Sequence, residues 1–455
     1  MKAILLTSSS IAVVATLMLV PAGQPPAGVA IGSDANTINV GKPEPPVFQA
    51  VGHPTFVSPH ANPIAISGNR VFVANTPADS VDVVDAETRQ LTHRIPVGVD
   101  PVSIAVRPDG KEVWVSNHVS DSVNVIDIDL ASPTYLHVVA TIQEFDSKRA
   151  TTFDEPVGIA FASNDKAYVA LSSGNQIAIV DVNSRQVTKR LTIPAQDPRA
   201  ITVRNGKLFV IPFESNNKTQ LSGGRREDID GDLVTFDAWE HSIIHNNVLS
   251  LGHVVDIVKH PEVPDRDLFV FDTETDELIE TIDSLGTLLY GLTVASDGTV
   301  FVAQTDARND VNGRSGTKKH GLRQLDNRAF LNRITRVESS REGETQQPDF
   351  IDLEPLPPKQ PEPGKTLATP FAIQISDDDS TLVVSAAASD KVFTVDVKSG
   401  KVLGRVDVDA VPRGIALEQT DGQLASAWVL NAVANTVSVV DLTNRAAPQV
   451  ISTIT

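Results

Sequence analysis

Sulfur is almost absent from this sequence. Its 455 residues contain no cysteine, and the only two methionines, Met1 and Met18, lie in an apolar N-terminal stretch. The lack of cysteine excludes disulfides, cysteine-ligated zinc, iron–sulfur clusters and the Cys-x-x-Cys-His attachment of c-type haem. Without the N-terminal stretch, no thioether remains to ligate copper. We therefore expect no haem attachment site and no sulfur-bound cofactor in this chain.

Basic residues are also scarce. The chain has 38 Lys and Arg against 57 Asp and Glu, which gives a net charge of −19. Such a charge repels polyanions, so nucleic acid and anionic lipid are not expected partners. The sequence has no GxSxG elbow, P-loop or Rossmann fingerprint, so acyl-transfer and nucleotide chemistry lack support. We expect no catalytic activity from this chain alone.

The N-terminal stretch resembles a secretory signal. Lys2 precedes an apolar core from Ile11 to Val20, and small residues follow it up to Ala22. This pattern predicts a signal peptide over residues 1–22 and an extracytoplasmic protein, either periplasmic or secreted. The apolar core is too short to cross a bilayer, so no stable membrane insertion is expected after cleavage. An uncleaved anchor is the alternative. Residues 23–61 are predicted to form a Pro- and Gly-rich N-terminal segment.

A repeated unit covers residues 62–455. Each copy has a short apolar strand that usually follows a proline, then a turn, two β-rich strands and a fourth strand. Copies that begin at Pro63 and Pro101 are 38 residues apart, and copies that begin at Pro370 and Pro412 are 42 residues apart. The third strand usually ends in aspartate. This period, with four strands per unit, predicts an all-β fold, a seven-bladed β-propeller of four-stranded antiparallel blades.

Two strands in the first two units end in asparagine. They read Val71-Phe72-Val73-Ala74-Asn75 and Val113-Trp114-Val115-Ser116-Asn117. On these residues the sequence resembles the YVTN-type β-propeller repeat family. We expect the asparagine to cap a turn through a side-chain bond to the backbone. The resemblance implies the propeller fold and leaves the function open.

Further segments resemble an exported subgroup of that family. They are Gly52-His53-Pro54-Thr55-Phe56-Val57-Ser58-Pro59-His60, a long insertion containing Thr235-Phe236-Asp237-Ala238-Trp239, and Thr305-Asp306-Ala307-Arg308-Asn309-Asp310. In that subgroup the propeller is commonly followed by a C-terminal region similar to diheme cytochrome c peroxidases. No such region precedes Thr455, so we expect a truncation or a domain cut there. The resemblance implies a protein partner, either a c-type cytochrome or peroxidase-like protein or the missing fused domain.

The additional sequence is concentrated in the fourth and fifth units. Insertions are predicted at about 214–267, 305–332 and 338–369, all on one face, where they would form a cap. The first strand of each unit begins on this face, which places Arg199 and Arg413 at its rim. There they would attract an anionic group, unless each pairs with a neighbouring aspartate.

Five more residues are assigned to the same binding face. Asp306, Arg308 and Asp310 form either a substrate clamp or a structural ion-pair network. His53 and His60 either face the central funnel or serve as turn residues.

Two groups in the first insertion have the composition of metal sites. Asp228, Asp230 and Asp232 alternate around a glycine, which suits Ca²⁺, although the spacing is not that of a full EF-hand. His241 and His245 would share one face of a helix, as metal ligation requires. The alternatives are a solvated acidic turn and hydrogen-bonded cap histidines.

Three functions follow from these patterns. The first is a recognition or docking propeller for a redox partner. The second is a metal-dependent hydrolase of the propeller lactonase kind, which would need metal in the funnel and a carboxylate or histidine base. The third is a surface or adhesion module.

Overall fold

The computed structural model describes residues 58–214, 266–308, 325–338 and 347–455, and the backbone of 219–224, 235–236 and 254–259. All of these residues belong to one compact unit, Gln49–Thr455. They form 31 β-strands and one 3-10 helix, Thr76–Ala78. The fold is therefore all-β. The predicted signal peptide and residues 23–57 lie outside the described residues.

Most strands form four-stranded antiparallel sheets in which strands that follow each other in sequence are hydrogen-bonded neighbours. We number these four-stranded repeats in chain order. Repeat 1 contains β1 (Ile64–Ser67), β2 (Arg70–Asn75), β3 (Ser80–Asp85) and β4 (Gln90–Pro96). Repeat 2 contains β5 (Pro101–Val106), β6 (Glu112–Asn117), β7 (Ser122–Asp127) and β8 (Val138–Ile142). Repeat 3 contains β9 (Pro156–Phe161), β10 (Lys166–Leu171), β11 (Gln176–Asp181) and β12 (Gln186–Thr192).

Repeats 4 and 5 form one eight-stranded sheet, because a single pair, Glu214 and Leu288, joins them. Repeat 4 contains β13 (Gln196–Arg204), β14 (Lys207–Glu214), β18 (Arg266–Asp272) and β19 (Leu278–Asp283). A separate three-stranded sheet lies between β14 and β18 in the chain and contains β15 (Thr219–Gly224), β16 (Thr235–Phe236) and β17 (Val254–Lys259). Repeat 5 contains β20 (Leu288–Val294), β21 (Val300–Ala307), β22 (Phe330–Val337) and β23 (Asp349–Asp352).

The last two repeats return to separate four-stranded sheets. Repeat 6 contains β24 (Pro370–Ile375), β25 (Thr381–Ala386), β26 (Lys391–Asp396) and β27 (Val402–Asp407). Repeat 7 contains β28 (Pro412–Thr420), β29 (Gln423–Asn431), β30 (Thr436–Asp441) and β31 (Gln449–Ile454).

The first strands of successive repeats contact each other around a closed ring. Contacts run from β1 to β5, β9, β13, β20, β24 and β28, and β28 contacts β1 again. The hydrophobic core is divided in the same way, with one cluster between each pair of neighbouring repeats. The cluster between repeats 7 and 1 packs Trp428 and Leu430 against Ile64 and Val73, so the ring closes by side-chain packing.

A channel lies along the axis of this ring. Its volume is about 420 Å³, and first-strand residues from repeats 1 to 6 line it. The third residue of each repeat, counted from its initial proline or the equivalent position, is small, as at Ala65, Gly158, Gly291 and Gly414. A side chain at Gly158 would meet the carbonyl oxygen of Arg199 in the next repeat. Small residues therefore allow the first strands to approach closely.

The aspartate at the end of the third strand stabilises the following turn. The Asp85 carboxylate accepts hydrogen bonds from the backbone N–H and hydroxyl of Thr88, at 2.8 and 2.9 Å. Asp181 makes the same pair of bonds to Ser184, and Asp396 to Ser399. These bonds lower the pKa of each carboxyl group. An Asp-x-x-Ser/Thr pattern in the sequence thus marks a side-chain-stabilised turn.

The asparagine at the end of the second strand has a different role from the predicted turn cap. The Nδ2 of Asn75 donates to Asp82 at 2.8 Å, and that of Asn431 donates to Ser438 at 2.9 Å. Asn117 donates to Asn124 at 2.9 Å and reaches one backbone oxygen, that of Ser122, only at 3.4 Å. The side chains of the third strand are the main acceptors, so the asparagine links two strands.

Candidate binding site at the ring mouth

One end of the ring brings together side chains from every repeat. The start of each first strand pairs with the end of the second strand, as Pro101 does with Asn117 and Pro412 with Asn431. The segments before each first strand and after each second strand therefore meet at this end, which we call the mouth. We define the mouth by His60, Thr76, Asp100, His118, Glu155, Asp197, Arg199, Phe213, Tyr290, Phe371 and Arg413.

Arg199 is held at the mouth by repeat 4 itself. Its Nη2 forms an ion pair with Asp197, and its Cζ lies 3.8 Å from the centre of the Phe213 ring. Its Nε is buried and has no hydrogen-bond partner among the described residues. The predicted pairing with a neighbouring aspartate is therefore present, and a cation–π contact fixes the plane of the guanidinium group.

Arg413 is held by the segment that precedes repeat 1. Its Nη1 donates to the carbonyl oxygen of Ser58 at 3.0 Å and lies 3.4 Å from Nδ1 of His60. Its Cζ lies 5.4 Å from the centre of the Phe371 ring. Burial lowers the pKa of Arg413, and the positive charge of Arg199 lowers it further. The two guanidinium groups are thus close enough to repel each other.

A short hydrogen-bond chain sets the proton on His60. The Thr76 hydroxyl donates to the carbonyl oxygen of Pro101 at 2.7 Å, so its oxygen accepts from Nε2 of His60 at 2.9 Å. The lone pair of Nδ1 is then left to face Arg413. Burial, and secondly the charge of Arg413, lowers the pKa of His60 to about 3. His60 is only 2% exposed, and its neutral ring accepts from Arg413 through Nδ1.

Three aromatic rings from successive repeats form a row between the two arginines. The centres of Phe213 and Tyr290 are 5.7 Å apart with their planes at 62°, and those of Tyr290 and Phe371 are 5.1 Å apart at 33°. Burial raises the pKa of Tyr290, so its phenol is neutral at neutral pH. The row gives the mouth an apolar surface with a cation at each end.

His118 lies at the mouth among acidic groups. Its Nε2 is 4.0 Å from the Glu155 carboxylate, and its Nδ1 is buried without a hydrogen-bond partner among the described residues. Burial lowers the pKa of His118, while Glu155 and Asp100 act in the opposite direction. This side of the mouth is therefore acidic, whereas the side near Arg413 is basic.

The other predicted binding-face residues divide into two groups. Asp306 accepts from Arg333 at 2.8 Å, and Arg308 donates to the carbonyl oxygens of Leu325 and Arg328 at 2.6 and 3.1 Å. These contacts form the ion-pair and hydrogen-bond network of repeat 5 that was the alternative to a substrate clamp. His53 and Asp310 lie outside the described residues.

The predicted metal ligands cannot be placed. Asp228, Asp230, Asp232, His241 and His245 all lie outside the described residues. In the part of the chain that the structure describes, no three His, Cys, Asp or Glu side chains are grouped so that they could hold a metal ion. None of the helices there is long and apolar enough to cross a membrane.

Four residues of the mouth were not predicted from the sequence: Phe213, Tyr290, Phe371 and His118. A signal for two of them was present, because Tyr290 and Phe371 occupy the same repeat position as Arg199 and Arg413, immediately before the small residue. Aligning the repeats at that position would have grouped Tyr290 and Phe371 with the two arginines.

Comparison with known proteins gives a likeness at the level of fold. No family model matches the chain, and no curated protein matches it. Among solved structures, the β-propeller-containing hydrazine synthase of Kuenenia stuttgartiensis is similar, with a TM-score of 0.60 and 18% identity, covering 87% of this chain and 99% of that chain. At this identity the likeness concerns the fold alone, which is β-propeller-like. The resemblance to the YVTN-type family stays a prediction.

Proposed function

We propose that this chain is a seven-bladed YVTN-type β-propeller that acts as an extracytoplasmic recognition module. The closed ring of contacts between the first strands supports the blade count, with each four-stranded repeat as one blade. The N-terminal sequence pattern supports export to the periplasm or the medium.

The partner in this proposal is a c-type cytochrome or a peroxidase-like redox protein, either separate or as a fused domain. The sequence resemblance supports the choice of partner. One observation carries the choice of binding face: Arg199 and Arg413 are fixed at the mouth by hydrogen bonds and aromatic rings. In a chain of net charge −19, these two guanidinium groups form a local site for a carboxylate of the partner. The acidic remainder would steer a partner with a basic surface.

Two other functions remain predictions. A metal-dependent hydrolase would use the acidic or histidine groups at 228–232 and 241–245, and these positions lie outside the described residues. A surface or adhesion module would need only the fold and the net charge. No contact within the described residues favours either function over docking.

Binding of purified cytochromes tests the docking proposal. The full chain is immobilised and titrated with a basic and an acidic c-type cytochrome at several salt concentrations. The basic cytochrome should bind more tightly, and its affinity should fall as salt increases. Arg413→Gln and Arg199→Gln should each weaken binding by roughly ten-fold or more.

Arg204→Gln is the matched control. Arg204 is exposed at the opposite end of β13, the strand that carries Arg199. Its substitution therefore removes one positive charge at a distance from the mouth. Equal losses in Arg199→Gln and Arg204→Gln would place the binding face elsewhere. Failure of both cytochromes to bind would remove the support for a cytochrome partner.

A further inference from the structure

A cavity adjoins the mouth between repeat 5 and the connection that leads into repeat 6. Its volume is about 430 Å³, which is in the range of pockets that hold small molecules. Tyr290 lines the cavity and also belongs to the aromatic row of the mouth. The cavity and the two arginines are thus connected through the aromatic row.

The wall of this cavity is built before any ligand arrives. Arg328 and Glu354 form a buried ion pair at 2.9 Å, with side chains that are only 9% and 4% exposed. Glu354 also accepts from Asn332 at 3.0 Å and from the backbone N–H of Leu367 at 2.9 Å. The pair therefore fixes the connection that forms the wall and neutralises its own charge.

The remaining surface of the cavity is partly apolar. Leu288, Ala329, Phe330 and Ala368 line it together with Tyr290. Phe330 is 49% exposed, so part of its ring is open to a ligand in the cavity. A flat apolar body would contact these side chains and the face of Tyr290.

Arg328 in the cavity wall is paired with Glu354, whereas Arg199 and Arg413 lie on the mouth side of Tyr290. Arg199 lies over Phe213 and Arg413 over Phe371, and both rings contact Tyr290. Guanidinium groups bind carboxylates through paired hydrogen bonds. A ligand that extends from the cavity toward the mouth would therefore meet the arginines with its anionic end.

We propose that the mouth and the adjoining cavity together bind a small aromatic carboxylate. Its carboxylate lies at Arg413 and Arg199, and its ring lies against Tyr290 in the cavity between repeats 5 and 6. The site shares Arg413 and Arg199 with the proposed docking face, but binding of a small carboxylate requires no redox partner, so the two proposals can fail separately.

Calorimetric titration of the full chain with sodium 2-naphthoate tests the site. Two further probes separate its parts, since 2-naphthamide keeps the ring without the charge and acetate keeps the charge without the ring. We expect 2-naphthoate to bind roughly ten-fold or more tightly than either probe. Equal affinity of 2-naphthoate and acetate, or of 2-naphthoate and 2-naphthamide, would overturn the proposal.

Three variants locate the ligand. Arg413→Gln should weaken 2-naphthoate binding by roughly ten-fold and leave 2-naphthamide unchanged. Ala329→Phe, which fills the cavity, should weaken 2-naphthoate and leave acetate unchanged. Arg204→Gln should change neither. If Arg413→Gln fails to fold, Arg199→Gln gives the same test. A loss in Arg204→Gln equal to that in the mouth variants, or full binding by Ala329→Phe, would contradict the assignment.

Discussion

Gly158 in β9 tests whether the first strands pack as closely as the ring requires. A Cβ atom added at this position would lie 2.2 Å from the carbonyl oxygen of Arg199 and 3.1 Å from Cγ1 of Ile201. The first of these atoms belongs to the backbone of β13 and cannot rotate away. The substitution Gly158→Ala must therefore move one strand relative to the next.

The expected cost follows from that displacement. Carbon and carbonyl oxygen normally approach no closer than about 3.3 Å, so the strands must separate by roughly 1 Å. Overpacking of this kind costs about 1–3 kcal/mol. Alanine also restricts the unfolded chain, which offsets about 0.5 kcal/mol of the cost. We expect a net loss of about 2 kcal/mol and a decrease in melting temperature of roughly 2–4 °C.

Thermal and urea unfolding followed by circular dichroism measure this loss. Gly174→Ala is the control, because a Cβ atom there would have no neighbour closer than 3.9 Å, and Gly174 is not in the left-handed backbone region. The control should unfold at or slightly above the wild-type midpoint. If Gly158→Ala unfolds together with Gly174→Ala, the first strands are not packed as described.

Three further predictions concern stability. Burial, and secondly the charge of Arg413, lowers the pKa of His60 from 6.5 to about 3. Below pH 6.5 the unfolded chain therefore binds more protons than the folded chain, and the free energy of unfolding should fall on acidification. Between pH 6.5 and roughly 4.5, before the turn aspartates begin to titrate, the loss of stability should be about 2 kcal/mol. The urea midpoint of His60→Gln should depend less on pH than that of the wild type. An unchanged dependence of the midpoint on pH would contradict the assignment. Arg328→Met or Glu354→Gln alone should lower the free energy of unfolding by about 3 kcal/mol, because each leaves a buried group of the pair uncompensated. In urea unfolding the double variant should recover part of this loss, and additive losses would argue against a coupled pair. A chain that begins at residue 63 should melt below one that begins at residue 58, since residues 58–62 bond to repeats 2 and 7, and equal melting temperatures would deny these residues a role in closing the ring.

Local sequence patterns predicted the four-stranded repeats well. Buried second strands such as Arg70–Asn75 contain a continuous apolar stretch, and Asp85 followed by Thr88 marks the turn into the fourth strand. These signals act over a few residues, so they can be detected without knowing what the repeat packs against. The role of Asn75 was predicted wrongly, because its acceptor, Asp82, lies across the strand pair and not in the adjoining turn.

The mouth could be predicted only in part. The sequence placed Arg199 and Arg413 at the start of first strands and raised the pairing of Arg199 with an aspartate. It could not indicate that His60 contacts Arg413, since 353 residues separate them and ring closure alone brings them together. It also could not assign Asp306 and Arg308 to the network of repeat 5, because their partners lie on β22 and in the segment before it.

The sequence by itself determined the all-β class, the repeat and its turns, because strand periodicity, proline position and side-chain-stabilised turns depend on short-range geometry. The tertiary structure alone decided which side chains meet. Tyr290 lies between Phe213 and Phe371 because three successive repeats present equivalent positions to one axis. That convergence depends on the packing between repeats, to which residues distant in the sequence contribute together.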